Sequence, residues 1–354
     1  MKKYHAMLLL LGGVFLAYLV RKIGPRELGD ELISIGWGLI PFILLEFVAE
    51  ALHTIGWRCC LSLPRCRVPW IRLFQIRMAG YAINYLTPTA ALGGEVTKAA
   101  FLFSYYTKSE AFTGILAEKL CVGVGHLLFV TLGSVLVIGV VTLPTPVWVA
   151  MILSGGLVAG GILVFLLLQK YGKLGAVIRW LAKQKMIGRP FEGVSQQITG
   201  VDEALKTLYR ERPRVLTQAV GWHMLGHSTG IFQTCWFFSF LHHPVSIAAA
   251  SAVWVLGMWF DLMTFAVPLN LGSLEGGRII AFKAIGSSAV LGMTFGIAQR
   301  LAQLACACFG LASYAWLTSR ENRARAQNLR HPAAKTESGI LPGIGVADCK
   351  KTSS

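Results

Sequence analysis

Apolar runs of about twenty residues recur along this chain, and two of them are broken by the same short pattern. A run of that length is enough to cross a bilayer as a helix. Lipid permits little else, because backbone N–H and C=O groups at membrane depth must be satisfied inside their own segment. The fold class expected is therefore all-α, a polytopic integral membrane protein. The two interruptions read LTPTAALGGE over 86–95 and AVPLNLGSLE over 266–275. In each, a proline is followed seven positions later by a glutamate, with glycine between them: Pro88, Gly93, Gly94, Glu95 and Pro268, Gly272, Glu275. Proline and glycine stop a helix by removing a donor and loosening the backbone. Broken helices survive at membrane depth only where protein buries them or water reaches them. A carboxylate at such a break, present twice, is the way a transporter marks its binding site.

The balance of side chains agrees, with 55% of the chain hydrophobic and 14% charged. A formal net charge of +16 raises the question of nucleic acid. The basic residues, however, sit in short segments between apolar runs, where orientation and anionic headgroups account for them, so nucleic acid is excluded as a partner. The run after Met1-Lys2-Lys3 continues to Val20 and ends in Arg21-Lys22 without a small-residue cleavage site. It reads as a first span rather than a removable signal. Eight cysteines form no CxxC pair and no framework, and they read as small apolar fillers.

The apolar runs fall at about 4–20, 34–57, 68–87, 96–106, 113–141, 146–168, 214–240, 246–267, 276–286 and 289–317. The short runs 96–106 and 276–286 each follow a break directly. They suggest helix–break–helix hairpins at 68–106 and 246–286, re-entrant or, since 68–87 and 246–267 are long enough, fully crossing. Charge orients the rest. Segment 169–213 carries nine Lys/Arg against four acids, and the stretch from Arg320 carries seven against three, so both belong inside. The arginine-rich segment 58–77 joins them, while 142–145, 241–245 and 286–289 hold no Lys or Arg and suit the outer face. About six full spans then place both termini in the cytoplasm. The hairpins enter from opposite sides, an inverted repeat of the kind used for alternating access. The domains expected are a transmembrane unit over 1–319, with an amphipathic connector at 170–213 around Trp180, and a polar, disordered cytoplasmic tail over 320–354.

The repeat continues beyond the glutamates. GILAEKL carries Glu118 and Lys119, GIAQRLAQL carries Arg300, and the bases stand 24 and 25 positions after Glu95 and Glu275. Charges in a bilayer need partners, water or a function. The candidates are Glu46, Glu50, Arg77, Glu95, Glu118, Lys119, Asp261, Glu275, Arg278 and Arg300. One reading pairs them as structural ion pairs, Glu95 with Lys119 and Glu275 with Arg300. The other gathers them round a polar groove. There Arg77, Lys119 and Arg300 suit a phosphate or other anionic headgroup, and helix starts near Gly94 and Gly276 add N–H donors.

Other signals are weaker. Glu46, Glu50 and His53 share one helix face and read as an interfacial polar face ahead of a proton relay or metal site. His223 and His227 have chelating spacing but no third ligand and no HExxH glutamate, so no metal is expected. His242-His243 reads as a solvated outer loop. GHSTG at 226–230 has the letters of a nucleophile elbow around Ser228, yet it lies in a span rather than between strand and helix. Gly226, Gly230, Gly155-Gly156 and Gly160-Gly161 read as close helix packing. No GxxxxGK[ST] loop is present. No catalytic residue and no cofactor is assigned.

The segments RMAGYAINYLTPTAALGGEVTKA (77–99), EKL (118–120) and PLNLGSLEGG (268–277), with Arg300, resemble the membrane region of the lysylphosphatidylglycerol synthase flippase family. That family includes stand-alone flippase-like proteins, a hopanoid-associated bacterial one among them, and the resemblance covers roughly 5–317. It implies a polytopic protein of the bacterial inner membrane that translocates or handles lipids with modified headgroups. Arg77, Asn84, Pro88, Gly93, Gly94, Glu95, Glu118, Pro268, Gly272, Glu275 and Arg300 match its pattern. Lys119 departs from it, since the family commonly has arginine there, which keeps the charge and weakens bidentate anion binding. The synthase's soluble aminoacyl-transfer domain has no counterpart in this stretch, so lysyl transfer is not expected. The leading expectation is a lipid flippase-like transporter. The alternatives are an intramembrane transferase or phosphatase on a lipid-linked substrate, and an anchor for a separate soluble lipid-modifying enzyme. The partners expected are a membrane lipid with a polar or charged headgroup, that soluble enzyme in the anchor reading, and a second copy of the chain as a homo-oligomer.

Overall fold

A computed structural model describes residues 18, 21, 25–61, 68–86, 92–141, 143–170, 210, 213–264 and 270–330. The expected first span, most of the connector 170–213, the chain beyond Arg330, and both break prolines, Pro88 and Pro268, lie outside these. The described residues hold helices and no strand. In order they are α1 (Pro25–Ile35), a 3-10 turn (Gly36–Gly38), α2 (Leu39–Cys60), α3 (Trp70–Leu86), α4 (Leu92–Leu102), α5 (Lys108–Val140) and α6 (Thr145–Lys170). Then come α7 (Pro213–Phe240), α8 (Ile247–Met263), α9 (Ser273–Ala284) and α10 (Ala289–Arg330).

Four stretches are long and apolar enough to cross a membrane: Ile33–Cys60, Lys108–Ile138, Thr145–Val164 and Ala289–Arg323. Their outward positions, such as Leu132, Val135, Ile138, Ile152, Leu153 and Leu157, expose large apolar side chains, as a helical membrane protein requires. Helix α7, expected as a further span, has the length at 28 residues. It is more polar than those four because His223, His227 and Gln233 lie along it.

Both expected interruptions are present as pairs of shorter helices. Helix α3 packs against α4, and α8 against α9. Asn84 meets Gly94 and Gly80 meets Lys98, so α3 and α4 run antiparallel. Gly257 meets Arg278 and Phe260 meets Gly277, so α8 and α9 do too. Without water to squeeze helices together, such contacts depend on small residues that let backbones approach. Gly94 is an example: a Cβ there would collide with the Gly80 carbonyl and the Asn84 side chain. At Gly80 it would lie 2.7 Å from Lys98 Cγ and 2.9 Å from the Gly94 carbonyl. Helix α8 is capped by Ser246, whose Oγ accepts the Ala249 N–H at 3.1 Å. Helix α9 starts after Gly272, whose φ of +76° is open chiefly to glycine.

The chain divides into two compact units. The first comprises Met1–His53, Val122–Gly161 and Trp222–Cys306; the second comprises Thr54–Cys121, Ile162–Gly221 and Ala307–Ser354. The core of the first is an aromatic cluster of Phe42, Phe237, Phe238, Phe282 and Phe295 around α8. Phe238 stacks on Phe282 at 4.9 Å between ring centres, and Phe42 stands edge-on to Phe295 at 5.5 Å. The core of the second gathers Trp57, Leu73, Ile76, Leu102, Ile115 and Leu317 around the α3–α4 pair. Each unit thus builds its core on one interrupted segment.

Helix α10 runs to Arg330, because RENRARAQNLR is rich in helix formers and meets no proline until Pro332. One expectation needs correcting. Of the paired glycines on α6, only Gly155 packs closely, against Trp259; Gly156, Gly160 and Gly161 face open space. His53 is buried against α7, where Gly226 makes room for its ring.

Candidate functional site

In the second unit, five charges from three helices form one alternating chain. Lys119 Nζ lies 2.7 Å from Glu95 Oε1. Glu95 Oε2 lies 2.7 Å from Lys98 Nζ, one turn on along α4. Lys98 Nζ reaches on to Glu118 Oε2 at 3.0 Å, and Glu118 Oε1 accepts from Arg77 Nη1 at 2.6 Å. Asn84 fixes the start of α4: its Oδ1 accepts the Gly94 N–H at 2.7 Å, and its Nδ2 donates to Glu95 Oε1 at 3.4 Å. The Gly93 carbonyl accepts the Thr97 hydroxyl at 2.9 Å. Lys98 also lies 5.0 Å from the centre of the Trp57 ring. Among the described residues, three cations here face two carboxylates. The Lys119 side chain is 45% exposed, against 5% for Lys98, so it is the end of the chain that a ligand can reach.

The first unit repeats the arrangement with different side chains. Glu275 is fully buried at the start of α9. Its Oε2 accepts the Gly272 N–H at 3.0 Å, and its Oε1 accepts from Arg300 Nε at 2.5 Å. Arg300 Nη2 also donates to the Asn270 carbonyl at 3.1 Å. Arg278, three positions after Glu275, donates from Nη2 to Asp261 Oδ2 at 2.7 Å and from Nε to Gln299 Oε1 at 2.7 Å. Gly257 admits the guanidinium, since a Cβ there would overlap it.

The two networks correspond position by position. Glu95 matches Glu275, Lys98 matches Arg278, Glu118 matches Gln299, Lys119 matches Arg300, and Gly80 matches Gly257. The difference lies in the helix before the break. Arg77 supplies a cation where Trp254 stands in the other unit, and neutral Asn84 stands where Asp261 does. Hence, among the described residues, three cations meet two carboxylates in the second network, while in the first two arginines meet two carboxylates.

Each spaced pair expected from the sequence is formed: Glu95 with Lys119 and Glu275 with Arg300. Arg77, Asn84, Gly93, Gly94 and Glu118 come together with the first pair, and Gly272 and Arg278 with the second. Glu46 lies elsewhere in the first unit, accepting from Gln233 Nε2 at 3.1 Å. Glu50 is buried one turn beyond it. Lys98 and Gln299 were not among the expected residues. Lys98 had a signal, three positions after Glu95 on the same face, as Arg278 is after Glu275.

Other motifs are placed in structural roles. The Ser228 hydroxyl donates to the Leu225 carbonyl at 2.7 Å within α7, with no strand–turn–helix elbow around it. Gly226 packs against the His53 ring and Gly230 against Trp254. Cys60 and Cys121 are free thiols with sulfurs 3.8 Å apart. Among the described residues, no three His, Cys, Asp or Glu side chains converge as a metal cage.

A family model described as the lysylphosphatidylglycerol synthase TM region matches residues 6–310. A UPF0104 membrane protein of Methanothermobacter thermautotrophicus is 25% identical over 316 residues, covering 85% of this chain and 91% of that protein. No solved structure matches the chain.

Proposed function

The chain belongs to the lysylphosphatidylglycerol synthase TM region family, and from that premise we propose that it moves a lipid with a polar, anionic headgroup between membrane leaflets. The observation that carries this reading is the five-charge chain of the second unit. Among the described residues three cations and two carboxylates alternate along it, and it ends at Lys119, a side chain open to a ligand. Lys119 and Arg77 offer charge-assisted donors to a headgroup phosphate, Lys98 holds the two carboxylates in place, and the α4 N-terminus adds a favourable dipole. Acyl chains remain in lipid while the headgroup exchanges its water for these donors. The matching arrangement around Glu275 supports an internal repeat, with Arg300 in the place of Lys119.

In this reading the protein sits in the inner (plasma) membrane with both termini in the cytoplasm. It has six full spans with the α3–α4 and α8–α9 pairs as re-entrant hairpins of an inverted repeat. Residues 1–319 form the translocating domain. The chain has no nucleotide-binding motif, so the energy comes from the lipid gradient, an ion or a partner.

The test is purified protein in liposomes carrying a fluorescent phosphatidylglycerol analogue, with outer-leaflet dye quenched by dithionite. The wild type is expected to expose inner-leaflet dye faster than protein-free liposomes. The Glu95→Gln, Glu275→Gln double variant, checked for folding, is expected to be slower. Wild-type exposure at the protein-free rate would sink the reading.

A further inference from the structure

The second unit has a cleft that the Glu95 network does not use, lined by Arg72 of α3, Phe101 of α4, Ser104 and Tyr105 of the turn after α4, and Leu317 and Glu321 of α10. Its volume is about 10 Å³, room for one water-sized group. Arg72 is only 7% exposed. Its Nη1 donates to the Tyr105 hydroxyl at 3.2 Å, and its guanidinium lies 5.0 Å from the centre of the Trp316 ring. Among the described residues, the buried Lys and Arg side chains are Arg72, Lys98 and Arg278. Lys98 and Arg278 each meet a carboxylate at 2.7 Å. Arg72 meets a hydroxyl and an aromatic ring instead, and among the described residues it has no ion pair. A guanidinium carries five N–H donors, and a buried charge is costly unless an opposite charge and hydrogen bonds satisfy it.

The cleft lies where α10 leaves the apolar part of the membrane. Trp316 and Tyr314 on α10, and Trp70 at the start of α3, are exposed aromatic side chains. Directly after Trp316 and Leu317 the helix turns polar, with Arg320, Glu321, Asn322 and Arg323 in succession. Exposed tryptophan and tyrosine beside arginine mark the level of the lipid headgroups. Arg320 also lies 5.5 Å from the Trp316 ring, so two guanidinium groups attend one aromatic side chain at this level. The Ser104 hydroxyl donates to Glu321 Oε1 at 3.5 Å, which sets a carboxylate on the same cleft. A phosphodiester whose head carries an ammonium or hydroxyl meets both signs of charge there, whereas a bare phosphate ion meets repulsion from Glu321.

We propose that this cleft binds the phosphate of a phospholipid headgroup, one non-ester oxygen entering against Arg72 while the rest of the head stays at the mouth. Tyr105 and Trp316 hold the guanidinium in place. Glu321 and Ser104 receive the donors of the head amine or alcohol. The site shares no residue with the Glu95 network and stands whether or not the protein moves lipid.

The test places wild-type protein in nanodiscs of phosphatidylethanolamine and phosphatidylglycerol, doped with a phosphatidylethanolamine analogue that carries a diazirine on its head. After illumination, labelled peptides are mapped by mass spectrometry. Label is expected to concentrate on the segments around Tyr105 and Trp316, and excess inorganic phosphate is expected to leave it there. Arg72→Gln should lower that label by about tenfold or more, the size of a lost hydrogen bond to a charged group, while Lys119→Ala leaves it in place. The wild-type map needs no variant to fold. Label spread evenly over the lipid-facing helices overturns the proposal, and so does a folded Arg72→Gln labelled like the wild type. Displacement by inorganic phosphate assigns the cleft to the free anion and overturns the lipid.

Discussion

Arg300 Nε donates to Glu275 Oε1 at 2.5 Å while the other oxygen of Glu275 caps the start of α9 through the Gly272 N–H. One fully buried carboxylate therefore both neutralises a cation and begins a helix. Removing the cation strands the anion, and removing one partner of a buried pair costs about 3–5 kcal/mol. Arg300→Leu should lower stability by about that amount. Glu275→Gln keeps an oxygen for the Gly272 N–H and should cost less. Thermal unfolding of the purified variants in one detergent compares them, and equal losses would refute the dual role.

The exposed end of the other network should behave differently. Lys119 is about half exposed and meets Glu95 alone among the ion pairs of the described residues, whereas Lys98 is buried between two carboxylates. Lys119→Ala should therefore leave folding nearly intact while reducing retained anionic lipid, read by native mass spectrometry. Lys119→Arg should restore it. Lys98→Met removes the cation shared by Glu95 and Glu118 and should destabilise the protein instead. Equal stability losses for Lys98→Met and Lys119→Ala would contradict the assigned geometry.

Gly94 and Gly80 let α3 and α4 touch backbone to backbone. Gly94→Ala should prevent that contact, lowering both yield and thermal stability. Gly156→Ala and Gly160→Ala, whose Cβ atoms would meet nothing within 4 Å, serve as controls and should lie within about 0.5 kcal/mol of the wild type. A tolerated Gly94→Ala would mean that the hairpin is looser than described.

Cys60 and Cys121, with sulfurs 3.8 Å apart, need a shift of under about 2 Å to reach disulfide length. Copper phenanthroline should link α2 to α5, removing two alkylatable thiols by mass spectrometry, and Cys60→Ser should abolish the effect. Both thiols staying free under oxidant, while other cysteines react, would place these helices further apart.

Much of the site was written in local spacing. The Pro…Gly…Glu breaks, the half-length helices after them and the bases 24 and 25 positions on could all be read along one chain. Both ion pairs expected from that spacing are formed. Lys98 was just as close in sequence, three positions from Glu95, yet its bridging role depends on Glu118 arriving from α5. The stacking of His53 on His223 spans 170 positions and had no local sign.

The sequence by itself determined that this is a helical membrane protein with two charged interruptions, because lipid forces satisfied backbones and a break in an apolar run stands out. Only the tertiary structure decided which charges neutralise one another and that the His53 ring stacks on that of His223. Helical periodicity says which residues share a face; it does not say which neighbour that face meets. That choice is made by glycines such as Gly80, Gly94, Gly226 and Gly257, where the absence of a side chain lets another helix, or its charge, come close.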